Sequence, residues 1–125
     1  MKEEGEGRQD LKDRTRDFAL RVVRLYSALP KTTEAQVLGK QLLRSGTSVG
    51  AHWREASRAR SNVEFVSKIE GGLQELEESL YWMELLVEGG IVKPDRMKEL
   101  IDEAHELSAI LTTCAKNVKG KSRPR

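Results

Sequence analysis

The sequence predicts an all-α fold, an antiparallel up-down-up-down four-helix bundle, from three observations. Apolar residues recur at steps of three and four along four separate stretches, a spacing that fits helices and no strand. Each stretch is bounded by proline, glycine or a side chain able to cap a helix. The connections are only a few residues long, so consecutive helices must run antiparallel.

The first stripe is Leu11, Thr15, Phe18, Val22, Leu25 and Leu29, and Pro30 stops it. Thr33 followed by Gln36 has capping-box spacing, which places the second helix start near residue 33. That helix carries the stripe Leu38, Leu42, Ser45, Val49, His52, Ala56, with Gly46, Ser48, Gly50 and Ala51 where larger side chains are usual. Each mid-helix glycine costs roughly 1 kcal/mol relative to alanine, so close approach of another backbone is expected to offset it. Ser61 and Glu64 repeat the capping spacing and open a third helix of about 27 residues, roughly 40 Å long. Its stripe is Val66, Ile69, Leu73, Leu76, Leu80, Met83, Val87. Gly89 and Gly90 are expected as left-handed caps, and Pro94 suits the first turn of a fourth helix. The fourth stripe reads Met97, Leu100 or Ile101, Ala104, Leu107, Leu111, Cys114, Val118. One domain is expected over 1–125, helical from about 10 to 118, with flexible tails at 1–9 and 119–125. No repeat on the scale of roughly 20–50 residues is visible, which argues against a helical solenoid.

Charge is abundant but nearly balanced: 22 basic and 20 acidic side chains leave a net +2. Its distribution is uneven. Residues 61–90 hold seven glutamates against Lys68, whereas residues 116–125 hold five cations and no acid. No apolar run is long enough for a membrane span, and MKEEGEGRQD lacks the core of a signal peptide, so a cytoplasmic protein is expected. Cys114 is the only cysteine, which excludes an internal disulfide and any multi-cysteine metal site; its place on a stripe reads as a buried inert thiol.

Residues able to support catalysis do not assemble into a pattern. His52 and His105 belong to different helices, and His52 falls on an inward stripe, where a structural role is expected. Glu70, Glu77, Glu84 and Glu88 flank the third stripe rather than occupy it. The segment Asp102-Glu103-Ala104-His105 lacks the Glu-x-x-His spacing of di-metal bundles. Neither Gly71-Gly72 nor Gly89-Gly90 has phosphate-loop spacing. No catalytic residue, cofactor or metal ligand is therefore assigned, and no enzymatic activity is expected.

Two kinds of surface remain. Phe65, Trp82 and Leu85 lie off the main third-helix stripe, and Trp53 adds a large ring on the second helix. They are candidates for an oligomer interface, unless the rings cap the bundle core. Arg44, Arg54, Arg58 and Arg60 cluster late in the second helix and its turn, and Lys116, Lys119, Lys121, Arg123 and Arg125 end the chain. In an up-down bundle both groups share one pole with Lys12, Arg14 and Arg16, a candidate nucleic-acid surface. The alternatives are a solvated end, with Arg54 or Arg58 paired to Glu55 or Glu64, and a protein-protein scaffold without a nucleic-acid role.

The strings QLLRSGTSVGAHWREA at 41–56 and EFVSKIEGGLQELEESLYWMELL at 64–86, with ALPKTTE at 28–34, resemble the bacterial four-helix bundle protein family. Its members include proteins encoded in intervening sequences of the 23S ribosomal RNA gene. The resemblance spans roughly residues 10–115, and RSGTSVGA is its most specific part. It implies an antiparallel four-helix bundle assembled as a homopentamer. A related branch, the accessory variability protein of diversity-generating retroelements, implies a reverse transcriptase or RNA as partner. Arg44, Gly46, Ser48, Gly50, Arg54 and Glu55 match signature positions and read as structural or interfacial; the family supplies no catalytic residue. Gly71-Gly72 departs from the bulkier residues expected there.

Overall fold

In a computed structural model, which describes residues 4–122 with side chains over 10–120, the chain forms four helices. They are α1 (Glu4–Ser27), α2 (Thr33–Ser57), α3 (Asn62–Glu88) and α4 (Pro94–Ser122). Each packs on its neighbour in sequence, and α1 meets α4 to close the up-down bundle. The helices reach beyond the expected 10–118, to Glu4 and Ser122.

Local chemistry accounts for the start of α2 and both ends of α3. Thr32, rather than Thr33, caps α2: its extended backbone lets the hydroxyl accept from the Ala35 amide at 3.3 Å. Gln36 does not complete a capping box; its amide donates to the Pro30 carbonyl and its oxygen accepts from the Tyr26 hydroxyl, both at 2.8 Å. That side chain ties the α1–α2 turn together. At α3 the expected Ser61 cap forms, but Glu64 reaches back one residue further than a capping box requires, to Arg60 instead of Ser61. The Ser61 hydroxyl accepts from the Glu64 amide at 3.1 Å, and the Glu64 carboxylate accepts from the Arg60 amide at 3.3 Å. The α3 end differs from expectation in one residue: Gly89 is right-handed, and only Gly90, at φ 75°, is left-handed. With Gly90 N–H on the Val87 carbonyl and Ile91 N–H on the Leu86 carbonyl, this is a Schellman closure.

Phe18, Val22, Leu42, Val49, Ile69, Leu76, Met83, Leu86, Met97, Leu107 and Leu111 are fully buried and fill the centre of the bundle. The expected α1 and α4 stripes are mostly inside, though Cys114 is only half-buried and Ala115 takes the enclosed position. The α3 stripe is rotated from expectation. Ile69, Leu76 and Met83 are central, but their partners are Gly72, Ser79 and Leu86, while Val66, Leu73, Leu80 and Val87 are half-buried at the flank. The cause is the α2–α3 seam, where small side chains bring the backbones together. Ser45 and Ser79 are buried there with hydroxyl oxygens 2.8 Å apart.

The α2 glycines meet α1. A Cβ on Gly46 would lie 2.9 Å from Val22 Cγ2, and one on Gly50 would lie 3.3 Å from Thr15 Oγ1. The expected helix approach is therefore real, and its partner is α1. Gly71 has a similar explanation on the opposite seam: it leaves room for the His52 imidazole, whose Cε1 lies 2.7 Å from a Cβ built there, whereas a Cβ on the buried Gly72 would meet only ordinary contacts. His52 is consequently at a half-exposed groove instead of the deep core.

Candidate nucleic-acid interface

The ends of α2 and α4 and the start of α1 lie at one end of the bundle. Thr15 of α1 abuts Gly50, and Lys119 of α4 donates to Glu70 near the start of α3 at 3.0 Å. Around this end the cationic residues fall into two groups, according to whether a carboxylate already holds them.

Arg44 belongs to the fold. Its guanidinium bridges Glu75 at 3.2 Å and Glu78 at 2.6 Å, a clamp between α2 and α3 set back from the pole. Arg14 is likewise committed. It forms a two-pronged contact with Glu103 of α4, at 3.0 Å through Nε and 2.6 Å through Nη2, and reaches Glu106 at 3.4 Å. The hydrogen bonds Arg14 donates to Glu103, together with the charges of Glu103 and Glu106, raise the guanidinium pKa against the opposing effect of burial. Lys119 is shared with Glu70, and Lys68 with Glu55 at 3.4 Å.

Arg54, Arg58, Arg60 and Lys116 form the second group. All four are exposed, and among the described residues none has a side-chain ion pair. Neither expected acid neutralises an arginine: Glu55 faces Lys68, and Glu64 caps the Arg60 backbone. Lys12 and Arg16, exposed on α1, flank the same end. Three arginines and a lysine free to turn outward can neutralise phosphates without breaking a structural contact. The side chain of Lys121 and all of Arg123 and Arg125 lie outside the described residues.

The apolar candidates also divide. Trp53 is 3% exposed and belongs to the core, with Phe65 set edge-on against its indole at 6.4 Å. It presents no surface. Phe65 is half-buried in that contact. Trp82 and Leu85 are half-buried, and exposed Tyr81 stacks tilted on Trp82 at 5.0 Å. The indole N–H of Trp82 is shielded from solvent and has no acceptor among the described residues. Tyr81 escaped the sequence reading because a single tyrosine beside a glutamate-rich face looks solvated; its stacking on Trp82 is a tertiary fact.

His52 lies 3.8 Å from Glu55 on its own helix and 3.8 Å from Glu75 across the α2–α3 groove, and its Nδ1 is buried without a hydrogen-bond partner among the described residues. Glu70, Glu77, Glu84 and Glu88 are exposed along α3. Among the described residues no group of three histidine, cysteine or acidic side chains is arranged to hold a metal ion, and no helix is long and apolar enough to cross a membrane.

Comparison with known proteins agrees with the fold. Residues 7–113 match the model of the family described as 23S rRNA-intervening sequence protein. The chain is also similar to a crystal structure from Bacteroides thetaiotaomicron, a protein of unknown function from the S23 ribosomal protein family. The two share 35% identity over 87% of this chain and 97% of that one, with a TM-score of 0.82. No curated protein matches. A match over most of the chain, with a bundle of the same shape, places it: the protein belongs to the 23S rRNA-intervening sequence protein family.

Proposed function

We propose that the protein is a non-enzymatic, homo-oligomeric accessory module that binds RNA or a nucleoprotein through the pole formed by Arg54, Arg58, Arg60 and Lys116. The carrying observation is selective pairing: Arg14, Arg44 and Lys119 are held by carboxylates, while these four are exposed and uncommitted. Contact of this kind reads phosphate rather than base, so affinity falls steeply with salt and varies little with sequence. Self-association fits the outer face of α3, where Tyr81, Trp82 and Leu85 keep apolar surface outside the core. A homopentamer is the assembly the family resemblance implies, a reverse transcriptase is one possible nucleoprotein partner, and the cytoplasm is the compartment where such a role would be exercised.

The apolar face also supports a second reading, a protein-protein scaffold in which charge serves solubility. Light-scattering chromatography separates the two. The full-length protein is measured alone and with a short structured RNA, at low and at high salt. An oligomer whose mass rises with RNA only at low salt supports the first reading. A species indifferent to RNA at both salts favours the scaffold.

A further inference from the structure

At the end of the bundle opposite the basic pole, α3 and α4 enclose an open cleft. Val87, Pro94 and Ile101 form its apolar floor. Glu84, Glu88, Asp95 and Asp102 stand around it, with Lys98 as the one cation. Lys98 is already engaged by Asp102 at 3.0 Å. That hydrogen bond, with the charges of Asp102 and Glu99, raises the lysine pKa.

Glu84, Glu88 and Asp95 have no ion pair among the described residues. One of them, Glu88, sits where a carboxylate is least welcome. The C-terminus of a helix carries a partial negative charge that favours cations, and the last turn of α3 contains no basic residue. Glu88 therefore adds negative charge to a negative helix end, with Glu84 one turn behind it on the same side, over a mostly apolar floor. A cation arriving from outside would relieve this arrangement, and the methylene stem of lysine or arginine would cover the floor.

We propose that this cleft docks a cationic segment of a partner protein, seating an arginine or lysine with its stem on Val87 and Ile101 and its head between Glu84 and Glu88. Together with the basic pole, this would give the bundle two ends of opposite preference: phosphate at one, basic polypeptide at the other.

The test uses the full chain and a fluorescein-labelled peptide alternating arginine with leucine, beside a control peptide with glutamine for arginine. Anisotropy should show binding of the arginine peptide only. It should weaken at least tenfold in E84Q/E88Q, severalfold in Ile101→Ala, and less than twofold in E77Q, an exposed α3 acid outside the cleft. Circular dichroism of each variant confirms that it is folded, and RNA binding should be unchanged in E84Q/E88Q, which separates this site from the basic pole. Equal weakening in E77Q, an unchanged affinity in E84Q/E88Q, or no binding by the wild type would overturn the proposal. So would loss of self-association in E84Q/E88Q with peptide binding intact, which would assign the cleft to a second copy of the chain.

Discussion

The His52 imidazole lies against Gly71, so close that a Cβ there would fall 2.7 Å from Cε1 and 2.8 Å from Nδ1. A glycine that weakens the middle of α3 thus makes room for a ring from α2. Replacing it sets two effects against each other: alanine strengthens the helix by about 1 kcal/mol, and the displaced ring offsets that gain. Gly71→Ala is expected to change stability by less than about 0.5 kcal/mol alone, but to stabilise by about 1 kcal/mol in a His52→Ala background. Denaturant unfolding of the four proteins in the cycle checks this; equal effects in both backgrounds would mean that the ring does not limit the site.

Gly46 is a harder case, because its neighbour cannot swing away. Val22 is fully buried and β-branched, with Cγ2 at 2.9 Å, Cγ1 at 3.1 Å and Cβ at 3.3 Å from the added carbon. Gly46→Ala should destabilise by about 1–3 kcal/mol despite better helix propensity. Gly120, which has nothing within reach of a Cβ, is the control, and its alanine variant should be neutral or slightly stabilising. Thermal unfolding of the pair measures the contrast.

Ser45 and Ser79 should be coupled. Ser79 donates to the Glu75 carbonyl at 2.8 Å, which leaves Ser45 as donor to Ser79 across the seam. Either alanine substitution removes one partner of a buried pair and should cost about 1–2 kcal/mol. The double substitution should cost less than the sum, since no hydroxyl is left facing an empty partner position. Strict additivity in urea unfolding would show that the two hydroxyls act separately.

Arg14 and Glu103 join the first and last helices through two short contacts with both side chains partly shielded. Glu103→Gln is expected to lower stability by about 1 kcal/mol, and the loss should shrink as salt rises. Comparison of urea midpoints at low and high salt tests it.

How far the sequence could be read follows from the same contacts. Helix number, order and most boundaries were legible because stripes, caps and breakers are local signals: Ser61 with Glu64 and Pro94 act as their types require. The facing of α3 was not. Leu73 and Leu80 look like core, yet Gly72 and Ser79 occupy it, because the α2–α3 seam selects small volume over hydrophobicity. The same limit applies to the site. Arginine clustering is visible in the chain, but only tertiary pairing separates Arg44, clamped by Glu75 and Glu78, from Arg54, Arg58 and Arg60. Trp53 shows the same limit: that its ring turns into the core against Phe65, and not outward, is set by tertiary packing.

The most direct measurement is the salt dependence of binding to a short structured RNA, for wild type, R54Q/R58Q/R60Q and R44Q. The triple variant should bind more weakly, with its log–log salt slope reduced by about one for each arginine removed, while R44Q keeps wild-type affinity and slope. Equal affinity and slope in the triple variant, or a loss in R44Q as large as in the triple, would contradict binding at the uncommitted basic pole.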